Sequence, residues 1–139
     1  MIVLDTNVVS EMMKPAPEPR VEEWLARQLP FDVFTTSITQ AEIFYGIELL
    51  AKGKRQDHLL RLAEELFEED FAGRLLPFGS AAARMYPAII VGRMKLGRPI
   101  SLLDAQIAAI AAAHGATLAT RNVSDFKDCG VRVVNPWAA

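Results

Sequence analysis

Ile2, Val3 and Leu4 form a short run without a polar member, and it stops abruptly at Asp5-Thr6-Asn7. A strand that is apolar at consecutive positions, rather than at alternate ones, is covered on both faces. Such cover belongs to parallel sheets with helices on either side. The rest of the chain is read against that constraint. Val33 to Thr36, Arg74 to Pro77, Thr117 to Thr120 and Val131 to Val134 are further β-rich runs. Helical spacing predicts short helices over 7–13 and 21–28, the first stopped by Pro15, Pro17 and Pro19. Longer ones are expected from Thr39, as the cap, to about Ala51, and over 56–70, 80–96 and 101–114. Pro87 should kink the helix over 80–96 or delay its start. Ser101 caps the helix that follows, and Gly115 closes it. This alternation predicts a three-layer α/β/α domain around a mostly parallel sheet.

The 139 residues fit one domain, 1–139, and 51% hydrophobic content is enough for a real core. A net charge of −2 excludes a general nucleic-acid coat or an anionic-membrane binder. Any RNA must be held by a local patch or through metal. The single Cys129 excludes an intrachain disulfide and a multi-cysteine zinc site, so a reduced, cytoplasmic setting is expected. The start lacks the basic flank and apolar stretch of a signal peptide. The longest apolar run, 107–113, is too short to span a bilayer.

Four acids stand at expected strand exits or helix starts: Asp5, Glu42, Asp104 and Asp125. Each has a structural explanation to set beside a functional one. Thr39-x-x-Glu42 matches a capping box, and Ser101-x-x-Asp104 has related spacing. An acid in a first helical turn also suits the helix dipole. Asp125 would serve as the cap of a short turn before Phe126. Asp5 is harder to explain away, because a carboxylate directly after a buried strand is costly unless it is exposed, hydrogen-bonded or bound to metal. Together the four occupy the places that face one crevice at the carboxyl ends of parallel strands. Such a cluster repels itself and needs a cation to stay ionised. Hard oxygen donors without Cys or His suit Mg²⁺ or Mn²⁺, which points to phosphate chemistry.

The pieces Val3-Leu4-Asp5-Thr6-Asn7, Thr39-Gln40-Ala41-Glu42 with Gly46, Leu103-Asp104-Ala105-Gln106-Ile107-Ala108-Ala109, and Leu118-Ala119-Thr120-Arg121-Asn122 with Asp125-Phe126 occur in order along nearly the whole chain. Through them, and through the ending Val134-Asn135-Pro136-Trp137, the sequence resembles PIN-domain ribonuclease toxins of the VapC class, in the branch that includes the FitB proteins. The resemblance implies a parallel-sheet sandwich and a metal-dependent endoribonuclease that leaves 5′-phosphate and 3′-hydroxyl ends. It implies a cognate antitoxin whose C-terminal segment blocks the cleft, promoter DNA bound through that antitoxin, and a homodimer. Apolar faces on helices 21–28 and 56–70 would supply the dimer surface. By motif, Asp5, Glu42 and Asp104 are the metal-binding acids, with Asp125 as the fourth. Asn122, acidic in some relatives, is assigned as a hydrogen-bonding or water-mediated partner. Thr6 and Thr120 match the hydroxyl residues beside the metal.

Arg93, Lys95, Arg98 and Arg121 are the candidates for RNA phosphate contacts, with a solvated surface as the alternative for the first three and pairing with a site carboxylate as the alternative for Arg121. Trp24 and Trp137 are read as packing residues. Other Mg²⁺ phosphoryl enzymes fit poorly: Asp5-Thr6-Asn7 lacks the second Asp of a haloacid-dehalogenase motif, and the paired acids of a phospho-receiver are missing. The competing reading is a non-catalytic binding module that acts only within a toxin–antitoxin complex.

Overall fold

The computed structural model describes all of residues 1–139. Five strands form one sheet: β1 (Ile2–Leu4), β2 (Val33–Thr36), β3 (Leu75–Leu76), β4 (Thr117–Ala119) and β5 (Arg132–Val134). Their order is β3-β2-β1-β4-β5, and every neighbouring pair is parallel. The chain therefore builds outward from β1 through β2 to β3, then returns to the other side of β1. The reversal falls between β1 and β4, where Asp5 N–H donates to the Ala119 carbonyl at 2.9 Å. A crevice opens at such a reversal because the following segments diverge to opposite faces of the sheet.

The double cover expected of β1 is present. Val3 and Leu4 are both fully buried, and they belong to different cores. Val3 joins Leu118 beneath α5 (Ser80–Lys95) and α6 (Leu102–Ala113). Leu4 joins Ala119 beneath α1 (Thr6–Met12), α2 (Pro19–Ala26), α3 (Ser37–Glu48) and α4 (Lys54–Glu65). Ala105, Ala108, Ala109 and Ala111 on the buried side of α6 leave room for α5 and the sheet to approach closely.

Three expectations need correction. Thr36, not Thr39, caps α3: its hydroxyl accepts from the Thr39 amide at 3.1 Å. Glu42 then lies in the second turn, so it is not a capping-box acid. Pro87 does not delay α5, which starts at Ser80 and runs through it to Lys95. Its missing N–H leaves the Ala83 carbonyl without its helical partner, and both residues are exposed, so that carbonyl is open to solvent. The apolar faces of α2 and α4, expected to supply a dimer surface, are largely taken up by the fold of the chain itself. Val21, Trp24, Ala63 and, just beyond α4, Leu66 are turned into the second core. Of the exposed large apolar side chains, Leu60 lies on α4 and Leu29 just beyond α2, and others, among them Met94, Leu96, Leu102 and Leu103, lie elsewhere. No helix is long and apolar enough to cross a membrane.

Candidate active site

Asp5 is the residue on which the site is built. It follows β1 directly and caps α1, with its Oδ1 accepting from the Thr6 amide at 2.8 Å. Its Oδ2 accepts from the Thr120 hydroxyl at 2.7 Å and from Asn7 Nδ2 at 3.3 Å. Thr120 is fully buried just after β4, so the two strands on either side of the reversal clamp one carboxylate. The Thr120 hydroxyl spends its proton on Asp5 and accepts from Asn7 Nδ2 at 3.2 Å and the Asn122 amide at 3.1 Å. A hydroxyl has one proton and two lone pairs, so its capacity is filled and its direction fixed.

Glu42 reaches the same place from α3. Its Oε1 accepts from the Thr6 hydroxyl at 2.8 Å. The Thr6 oxygen lies 3.0 Å from the Thr39 hydroxyl, and since its own proton goes to Glu42, Thr39 is the donor there. Asp104 stands in the first turn of α6, where the Ser101 cap accepts its amide at 3.2 Å. Asp5, Thr6, Asn7, Glu42, Asp104, Arg121 and Asn122 line one open cleft of about 430 Å³.

At Asp5 the electrostatics of this cleft are those of an unpaired acid. Only 4% of Asp5 is exposed and no basic group pairs with it. Its pKa is pushed from 3.8 to about 6, chiefly by burial. Repulsion from Asp104 and Glu42 adds to this, while the hydrogen bonds from Thr120 and Thr6 oppose it. Burial also raises Asp104, against the Ser101 hydroxyl; Asp125 raises it further and Arg93 lowers it. The donor set is all oxygen, as Mg²⁺ or Mn²⁺ requires, and a buried carboxylate facing two others without a counter-cation fits a hard dication. As the side chains stand, no three of them converge to ligating distance around a single point.

The remaining expected residues divide. Asn122 lines the cleft, whereas Asp125 is exposed on the 3₁₀ turn Val123–Phe126 and lies outside the lining. Asp125 acts on the site by raising Asp104. Arg93 is not a surface cation, and its reading as an RNA contact is corrected: it is 4% exposed. Its Nε donates to the Arg98 carbonyl at 2.7 Å, and its Nη1 to the carbonyls of Asp125 at 2.7 Å and Lys127 at 3.1 Å. The guanidinium bolts the Asp125-bearing loop to the end of α5. Lys95 and Arg98 are exposed but do not line the cleft, and Arg98 pairs with Asp128.

Sequence reasoning missed Asn7, Thr39, Glu11, Lys14 and Trp137 as site residues. Asn7 had a signal, since it lies one residue beyond Thr6 in the Asp-Thr-Asn run. Glu11 is also near Asp5, six positions on along the same helix, whereas Trp137 had no signal, because it is distant in sequence from the four acids and looks like core.

A parallel sheet reversing beside its central strand, with three carboxylates converging on a cleft at that reversal, defines a class. A family model for the PIN domain matches residues 2–130, and the chain belongs to the PIN-domain family. Within it, the chain is 41% identical to Toxin FitB of Neisseria gonorrhoeae, over 99% of both chains. It is 38% identical to VapC ribonuclease Y4jK of Sinorhizobium fredii, over 99% of this chain and 98% of that one. A solved structure of FitAB bound to an IR36 DNA fragment contains a chain that superposes with a TM-score of 0.91 at 41% identity, covering 99% of this chain and 96% of that chain.

Proposed function

We propose that this chain is the endoribonuclease toxin of a toxin–antitoxin pair and that it hydrolyses RNA phosphodiesters in the cleft around Asp5. The observation that carries the reading is the Asp5 carboxylate: buried, fixed by three donors, uncompensated by any cation of the chain, and facing Glu42 and Asp104 at an open cleft. A merely structural capping acid has no need of two further acids. Likeness to a FitB toxin and a VapC ribonuclease over whole chains supports the activity and the class.

Asp5, Glu42 and Asp104 would hold Mg²⁺ or Mn²⁺, with Asn122 beside them and Asp125 flanking Asp104. The bound ion would supply the charge that keeps these acids ionised, activates water and stabilises the phosphoryl oxygens. The chain's own work is orientation. Thr120 and Asn7 fix the Asp5 oxygens, and Thr6, itself fixed by Thr39, fixes Glu42. Asp104, half-buried at the cleft and fixed by the Ser101 cap, would complete the acid set that holds the ion. The partner is a cognate antitoxin whose C-terminal segment covers the cleft, and the pair binds promoter DNA through the antitoxin. The likeness to a chain of FitAB on DNA supports that assembly. The active toxin is a homodimer.

Purified chain, incubated with total cellular RNA in Mg²⁺, Mn²⁺ or chelator beside Asp5→Asn and Asp104→Asn, tests the reading. Discrete cuts with 5′-phosphate ends, absent in chelator and in both variants, are expected. Intact RNA from folded, ion-loaded wild-type protein would favour a non-catalytic binding module.

A further inference from the structure

The same cleft carries a basic and aromatic flank that the carboxylates do not explain: Lys14, Arg121 and Trp137 also line it. The Lys14 ammonium is committed to buried Glu11 at 2.9 Å, and Glu11 also accepts the Glu18 amide at 3.0 Å. Arg121 makes no such bond and acts on Glu11 only through its charge. Its side chain is exposed, joins none of the ion pairs, and donates to no acceptor within the chain. A free guanidinium among Asp5, Glu11, Glu42 and Asp104 would ordinarily fold onto one of them. Here its central carbon lies over the Trp137 ring instead, 5.2 Å from the centroid.

Both halves of this pair are anchored. The Arg121 amide donates to Asn7 Oδ1 at 3.1 Å, and Asn7 in turn donates to Asp5. The Trp137 amide donates to Asn135 Oδ1 at 2.9 Å, and its carbonyl accepts from Arg20 at 3.4 Å. One side-chain amide thus ties the position of the cation to the position of the central carboxylate. The guanidinium N–H groups meet no acceptor of the chain, and such a planar fork of donors matches phosphate oxygens in pairs.

We infer that Arg121, shelved on Trp137, forms a phosphate subsite that holds a backbone phosphate of single-stranded RNA neighbouring the one at Asp5. The inference rests on the ribonuclease reading for the nature of the polyanion. A chain of net charge −2 has no bulk attraction for RNA, so a fixed local cation is what draws the backbone into an acidic cleft. An unpaired strand is the form that presents successive phosphates to a concave wall, and single strands are the usual targets of RNA recognition.

The test is binding of a short fluorescent single-stranded RNA to the full chain in chelator, across a salt series. Wild type is compared with Arg121→Gln, Arg121→Lys, Trp137→Ala and Trp137→Phe, each checked for fold by circular dichroism. Arg121→Gln should weaken binding about tenfold, as expected for one charge-assisted phosphate contact. It should also make the salt slope shallower by about 0.7, the increment for one phosphate on a single strand. Arg121→Lys should keep the slope and lose part of the affinity, Trp137→Phe should stay near wild type, and Trp137→Ala should fall between. Unchanged affinity and slope in Arg121→Gln would overturn the subsite. So would a loss of binding to oligoglutamate with none to RNA, which would assign Arg121 to an acidic peptide. If wild type cleaves RNA but Arg121→Gln binds it normally, the subsite alone fails. If the slope falls as stated but wild type never cleaves, the subsite stands and the nuclease reading fails.

Discussion

Removing the Asp5 charge while following stability against pH isolates the cost of the buried carboxylate. In the folded chain its pKa is raised from 3.8 to about 6, with burial as the first cause. At about 1.4 kcal/mol for each tenfold change in proton affinity, this amounts to about 3 kcal/mol. Between pH 4 and pH 6 the folded state binds more protons at this site than the unfolded state does. Stability contributed by Asp5 is therefore full below its unfolded pKa and is lost as pH rises through about 6. The assay is urea unfolding of wild type and Asp5→Asn in chelator from pH 4 to 7.5. Any fixed effect of the amide cancels when only the change with pH is compared. The wild-type advantage should shrink, or its deficit grow, by about 2.5 kcal/mol across that range, the rest falling below pH 4, and level off above pH 7. Saturating Mn²⁺ should reduce the fall, because a bound cation favours the ionised acid. Parallel pH curves for the two proteins would refute the claim that Asp5 carries an uncompensated buried charge.

Further outcomes follow from the same contacts. Arg93→Met strips three backbone carbonyls of a buried cation and should cost about 3–5 kcal/mol in urea unfolding. It should also speed thiol labelling of the buried Cys129, which lies 3.4 Å from the same guanidinium. Thr120→Val removes the donor to Asp5, so a carboxyl titration by NMR in chelator should place Asp5 higher than in wild type, with about 1–2 kcal/mol of stability lost. Glu42→Gln should leave the fold intact and weaken Mn²⁺ binding at least tenfold by calorimetry, by an estimate of order 1.4 kcal/mol or more for a lost charged ligand.

What the sequence made legible was set by local patterns, and what it hid was set by distant contacts. The run Ile2–Leu4 announced a doubly covered strand because both its neighbouring layers are apolar, and Val3 and Leu4 do enter separate cores. Asp5 stood out because a carboxylate directly after a buried strand is costly unless it is held, and the cap it makes on α1 accounts for only one of its two oxygens. Ser101 was readable as a cap because only one cap-competent residue precedes α6. Before α3 there are three, Thr36, Ser37 and Thr39, and the register of β2 decides among them. That choice turned Glu42 from a capping acid into a residue held by Thr6, 36 positions away. Arg93 looked like one of a basic series with Lys95 and Arg98. Its burial depends on carbonyls 32 and 34 residues downstream that composition cannot reveal. Helices α2 and α4 showed apolar stripes, but a stripe does not say whether it meets a core or a second protomer.

The most direct test of the account is to titrate Mn²⁺ into the wild-type chain while following, in one sample, ion binding by paramagnetic resonance and cleavage of its mapped RNA target. Cleavage should rise in step with ion bound, and Asp104→Asn should lose cleavage while remaining folded. Cleavage that persists in chelator, or full cleavage by folded Asp104→Asn, would contradict a metal-dependent ribonuclease built on this cleft.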